Sequence, residues 1–190
     1  MRNNFINFFE AYTDKLNSYL NNIDKKSLLE FEVFFRNLIN NKKTLFLAGN
    51  GGSAATASTI ANDLGFDLFK KTGNKINLFS LVDNSSVLTA ISNDTGYENS
   101  FLNQLKLHHK IGDHLLLISA SGNSKNLINC INFVKRRKGK VISLLGFDGG
   151  KIKKMSDICV HIKTKKNEYG PVEDCHLILN HILAHWFQKK

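Results

Sequence analysis

The chain has 190 residues, 42% of them hydrophobic, which is enough for one well-buried core. No stretch reads as a linker or low-complexity segment, so a single domain over residues 1–190 is expected. The longest apolar runs, such as 115–120 and 141–145, fall far short of the ~20 residues of a membrane span, and residues 1–9 are polar-interrupted with no small-residue cleavage site, which points to a cytoplasmic protein. The formal charge of +10 comes from 26 Lys and Arg against 16 Asp and Glu, densest at 135–138 and 163–166. No aromatic residues interleave there to stack bases, so steering of an anionic substrate is expected rather than nucleic-acid binding.

Residues 5–20 and 25–39 carry apolar side chains at three- and four-residue spacing, which predicts an opening pair of amphipathic helices. The pattern then changes to short, nearly continuous apolar runs at 44–48, 75–81, 114–120, 140–147 and 158–162, the mark of strands covered on both faces. Helical stretches at 53–64, 86–91, 126–138 and 151–155 separate them. Repeated strand, helix, strand implies right-handed crossovers and a doubly wound, five-stranded parallel α/β sheet. A long last helix is expected to begin at Pro171, whose ring suits a first helical position, and to run to about residue 187. Cys130, Cys159 and Cys175 are odd in number and widely spaced, so they are read as buried small hydrophobes, not as disulfide or zinc ligands.

Two turns stand out. Gly49-Asn50-Gly51-Gly52-Ser53 and Ser119-Ala120-Ser121-Gly122-Asn123-Ser124 each follow a predicted strand and open a predicted helix. A first helical turn has N–H groups without helical partners and a partial positive charge, so an anion there collects several hydrogen bonds. Gly51 and Gly52 allow close backbone approach, and the hydroxyls of Ser119, Ser121 and Ser124 can donate to phosphate oxygens. Neither turn has the glycine spacing of a dinucleotide site or the Gly-Lys-Ser/Thr of a nucleoside triphosphate loop, so one small phosphate ester fits better.

With these turns, four motifs occur in order: Ala-Gly-Asn-Gly-Gly-Ser at 48–53, Ile-Ser-Asn-Asp-Thr-Gly-Tyr at 91–97, Ser-Ala-Ser-Gly-Asn-Ser at 119–124 and Gly-Phe-Asp-Gly-Gly-Lys at 146–151. Together they resemble the sugar isomerase (SIS) domain family in its phosphoheptose isomerase branch, over about residues 4–187. The resemblance implies a flavodoxin-like fold, sedoheptulose 7-phosphate isomerase activity for lipopolysaccharide or capsule heptose, and a homotetramer with active sites between subunits. It also implies that Ser119, Ser121 and Ser124 grip the phosphate, that Asn50 and Ser53 line the sugar, that Asp94 lies near the substrate, and that His181 is catalytic.

The chain departs from that family where chemistry is expected. A family His and, four residues on, the Glu that serves as base are Thr59 and Asp63 here, and a Gln on the last helix is Glu173. In several members the histidine matching His181 also helps hold zinc. Of the four residues ringing that metal only His181 is unchanged, so no cofactor is expected, although Asp63, Glu173 and His181 could supply three ligands. Aldose–ketose isomerisation moves a proton between adjacent carbons and needs a base and an acid. Asp63 and His181 can fill those roles, with Thr59 and Asp63 expected on one helix face, and Glu173 is a second candidate in the expected first turn of the last helix. Asp is one methylene shorter than Glu, and a displacement of about 1 Å can cost ~10²-fold in rate, so the backbone must shift or another residue must act. Two other readings stay open: isomerisation of a different ketose phosphate, and a non-catalytic SIS regulator that binds a sugar phosphate.

Overall fold

The computed structural model describes residues 2–189. Helices α1 (Arg2–Asn21) and α2 (Lys25–Leu38) precede β1 (Thr44–Gly49), and the rest alternates through β2 (Asn77–Ser80), β3 (His114–Ser119), β4 (Val141–Leu145) and β5 (Ile158–His161). All four strand pairings are parallel, in the order β2-β1-β3-β4-β5. The expected doubly wound parallel sheet is therefore observed. Alternate side chains of each strand feed two cores, Leu45 and Leu47 on one face and Phe46 and Ala48 on the other, which is why the strands read as unbroken apolar runs. The first core lies under α1, α2, α3 (Gly52–Ile60) and α9 (Tyr169–Gln188), and the second under α6 (Ser100–His108), α7 (Lys125–Arg136) and α8 (Gly150–Met155).

Several expected boundaries are corrected. β2 is an edge strand paired only with β1, which shortens it to four residues with its side chains partly exposed. α5 (Ser85–Thr95) runs longer than expected, and α6 was not anticipated because polar Asn103, Gln104 and Lys106 dilute its buried Phe101 and Leu105. The helix after β1 does not stop at Leu64. It continues through a π-helical segment, Ala61–Asp67, into α4 (Leu68–Thr72) and ends at Gly73, which takes the left-handed conformation with φ 77°. Gly65 is tolerated inside this run, and Leu64 and Leu68 anchor it in the core. α9 starts at Tyr169, so Pro171 is its third residue, where the missing N–H would have no helical partner anyway. Cys130 and Cys175 are buried as expected, whereas Cys159 is only half-buried.

The N-terminal helix is clasped to α9 by polar contacts. The Tyr12 hydroxyl donates to Asp174 at 2.6 Å, and Tyr19 and Lys15 donate to Glu168 at 2.5 and 2.9 Å. These bonds, Tyr19 first, hold the Glu168 carboxyl down to about 2. Its pKa is lowered on folding, so its contribution is full above the ordinary carboxylate range and is lost as pH falls towards 2. Hydrogen exchange of α1 is therefore expected to accelerate relative to the sheet as pH drops from about 4.5 to about 2. Glu168→Gln should remove that pH step.

Candidate active site

The chain moves from β1 outward to β2 and then returns to the other side of β1 as β3, so the order reverses between β1 and β3. Ligands of such sheets bind beyond the carboxyl ends of the strands at that reversal. The register sets Gly49 beside Ile118, which brings the two predicted turns next to each other. Between them lies a cavity of about 150 Å³ lined by Asn50, Ser53, Ser119, Ser121 and Ser124, with Tyr169 and Glu173 from α9 closing it. A larger hollow of about 520 Å³ beside α2, His114 and Lys140 sits at the opposite, amino-terminal end of the strands and has no such set of donors.

Both helices that meet the cavity start without a side-chain cap. Ser124 is the N-cap of α7 but makes no capping bond, and Gly51 precedes α3 with φ 57°. The serine loop is shaped from within: Ser119 Oγ accepts from the Gly122 amide at 3.0 Å and Ser121 Oγ from the Asn123 amide at 3.3 Å. It is also braced by the next crossover, since the Gly122 carbonyl accepts from the Ile152 amide at 3.0 Å and Asn123 Oδ1 from the Lys151 amide at 3.1 Å. Gly122 has φ 61°, and a Cβ there would run into the Gly149 carbonyl. Glycine is required at 122 on both counts.

Asn50 is fixed by an amide pair with buried Asn126, with Nδ2 donating to Asn126 Oδ1 at 3.1 Å and Oδ1 accepting from Asn126 Nδ2 at 2.9 Å. The Tyr97 hydroxyl donates to the same Oδ1 at 2.6 Å. Gly52 lies under the Glu173 carboxylate, so that any Cβ at 52 would collide with it. Glu173 stands in the second turn of α9, which removes it from the first-turn position expected above. Its pKa is raised, chiefly by burial and then by the neighbouring Asp174 carboxylate.

Asp63 and His181 meet further along the same two helices. Asp63 is half-buried inside the π-helical segment, and the His181 ring, with about half of its side chain exposed, brings Nε2 to 3.7 Å from Asp63 Oδ2. Asn180 Nδ2 donates to that oxygen at 2.6 Å and Asn62 Nδ2 to Oδ1 at 3.0 Å. The Thr59 hydroxyl donates to the Ala55 carbonyl at 3.0 Å, bonding within its own helix. The π-helical segment that holds Asp63 begins at Ala61, two residues after Thr59.

Glu173 and His181 are eight residues apart on α9, roughly 12 Å along the axis. Glu173 thus lies at one end of the contact between α9 and the helix that follows β1, and Asp63 with His181 at the other. Among the described residues no group of three or more His, Cys, Asp and Glu is gathered to hold a metal ion. The side chains do not fit a zinc site within one chain. Asp94 is exposed on α5, accepting from Asn93 Nδ2 at 3.0 Å, and does not line the cavity. The sequence motifs do not mark Asn62, Asn126, Tyr169 or Asn180; the last is the one amide among residues 177–183, between apolar 177–179 and His181. His176 is completely buried with neither ring nitrogen in hydrogen-bonding geometry, and burial pushes its pKa down to about 4.

The SIS domain model matches residues 8–146. A phosphoheptose isomerase from Nitratiruptor sp. is 36% identical over 161 residues, covering 82% of this chain and 84% of the relative. Phosphoheptose isomerase 2 from Campylobacter jejuni is 39% identical over 146 residues, covering 76% and 70%. Among solved structures, phosphoheptose isomerase GmhA from Neisseria gonorrhoeae superposes over 100% of both chains with a TM-score of 0.85 and 26% identity. The chain belongs to the SIS domain family, in its phosphoheptose isomerase branch.

Proposed function

We propose that this protein is an aldose–ketose isomerase that converts sedoheptulose 7-phosphate to D-glycero-D-manno-heptose 7-phosphate, for the heptose of lipopolysaccharide or capsule. One observation carries the reading: in a chain of this family, the serine and amide cavity lies at one end of the α3–α9 groove and an acid–imidazole pair at the other. The phosphate is bound by Ser119, Ser121 and Ser124 with the first amides of α7, and Asn50, Gly51, Gly52 and Ser53 line the sugar. Anchoring the ester at one end sets carbons 1 and 2 near Asp63 and His181. Asp63 takes the proton from one carbon and returns it to its neighbour, while His181 donates to the carbonyl oxygen and stabilises the enediol. Glu173, whose pKa is raised by burial and by Asp174, faces the ester or its adjoining hydroxyl.

The assembly is a homotetramer in the cytoplasm with sites between subunits. Support comes from α1, whose Phe5, Phe8 and Phe9 are more than half exposed, a patch that a neighbouring subunit would cover. In that arrangement Asp94 belongs to a neighbour's site. No described helix is long and apolar enough to cross a membrane.

Incubation with sedoheptulose 7-phosphate in D₂O should convert the sugar and incorporate deuterium at carbon 2, followed by proton NMR. Binding without conversion or exchange, with and without added zinc, would favour the regulator reading instead. Ser124→Ala and Ser119→Ala should each raise KM about 5- to 50-fold, the loss of ~1–2 kcal/mol of hydrogen bonding to a charged ligand, with kcat changed far less. Steady-state kinetics on the two variants checks this.

A further inference from the structure

The Asp63 carboxylate is held by amides on both oxygens, from Asn62 on its own segment and from Asn180 across the groove. The Asn180 contact is the more telling. Its side chain is 3% exposed and sits among Leu179, Leu183 and Ala184, where an apolar residue would pack without loss. Its Oδ1 has no hydrogen-bond partner. A buried amide with one end unsatisfied is a cost to folding, retained here for the bond made by the other end. A carboxylate accepts only, so the amide nitrogen must be the atom that faces Asp63.

A second observation concerns the backbone. Asp63 lies in a seven-residue π-helical segment, a widening of the helix that turns its side chains to new directions and is found frequently at functional sites. Both features act on where the Asp63 carboxylate sits, and the placement of a reacting group by about 1 Å governs rate. With Oδ2 engaged by Asn180 at 2.6 Å, His181 stays at 3.7 Å from that oxygen, too far to hydrogen-bond to it. Without the amide, the carboxylate would be free to turn to the imidazole and pair with it, removing base and acid together.

We propose that Asn180 is a positioning residue: its amide, with the π-helical segment, aims the Asp63 carboxylate at the reacting carbons and keeps it apart from His181. The inference rests on the reading of Asp63 as the base. Each carboxylate oxygen has a second lone pair, so both can accept an amide bond while one still takes the proton. The bond fixes orientation without metal or counter-charge, in a chain whose acids are not gathered for a metal ion.

The test compares Asn180→Leu, Asp63→Asn and the double variant in kcat, KM and deuterium exchange on sedoheptulose 7-phosphate, with melting followed by circular dichroism. Asn180→Leu removes both the donor and the unpaired oxygen. Its melting temperature should be equal to or above wild type, with kcat down roughly 10- to 100-fold and KM within about 2-fold. The double variant should be no slower than Asp63→Asn alone, because Asn180 acts only through Asp63. Asn180→Ser, too short to reach the carboxylate, should show the same split and serves if the leucine variant does not fold. Unchanged kcat in Asn180→Leu beside an inactive Asp63→Asn overturns this inference and leaves the proposed function standing. Loss of kcat with a large drop in melting temperature, or additive losses in the double variant, assigns Asn180 a structural role and also overturns it. Full turnover by Asp63→Asn, or none by wild type, removes the base itself and both readings fall.

Discussion

The parallel pairing of β1 with β3, with β2 on the far side, is the constraint from which the site follows. Because Gly49 is in register with Ile118, the two strands end together and their following turns cannot avoid each other. Helix starts that would be separate features elsewhere become one donor-rich corner. The apolar alternation that drives pairing, Leu45 and Leu47 to one core and Phe46 and Ala48 to the other, forbids a one-residue slip, which would exchange the two faces of a strand whose neighbours differ in size. The location of the anion corner is thus decided by packing in the sheet, remote from any ligand.

Helices α3 and α9 translate that corner into a groove with two chemically different ends. Near the sheet, Gly52 lets Glu173 lie against the start of α3; further on, Asn180 and His181 meet Asp63. The first end is rich in hydroxyls and amides, donors of the kind an anion collects. The second holds an acid and an imidazole side by side, suited to moving a proton.

Much of this architecture was legible in the residues. Nearly continuous apolar runs at 115–118 and 141–145 marked doubly covered strands, and the glycines and serines at 49–53 and 119–124 marked the corner. The pattern failed where local signals were weak or three-dimensional context overrode them. α6 has too few apolar residues to show a period, and β2 owes its short length to having one neighbour. Leu64 and Leu68 hold the helix through Gly65, past the expected end at residue 64, and the widened turn that results has no sequence period of its own. Asp94 is exposed on α5, away from the cavity of its own chain, and nothing in its local pattern marked that.

The glycine contact between residues 122 and 149 couples two loops that are 27 positions apart in the chain. A side chain at Gly122 or at Gly150 would run into the other loop's backbone, so the two turns keep their shape only together. The turn after β4, which lines no part of the cavity, thereby sets the outline of the turn that does.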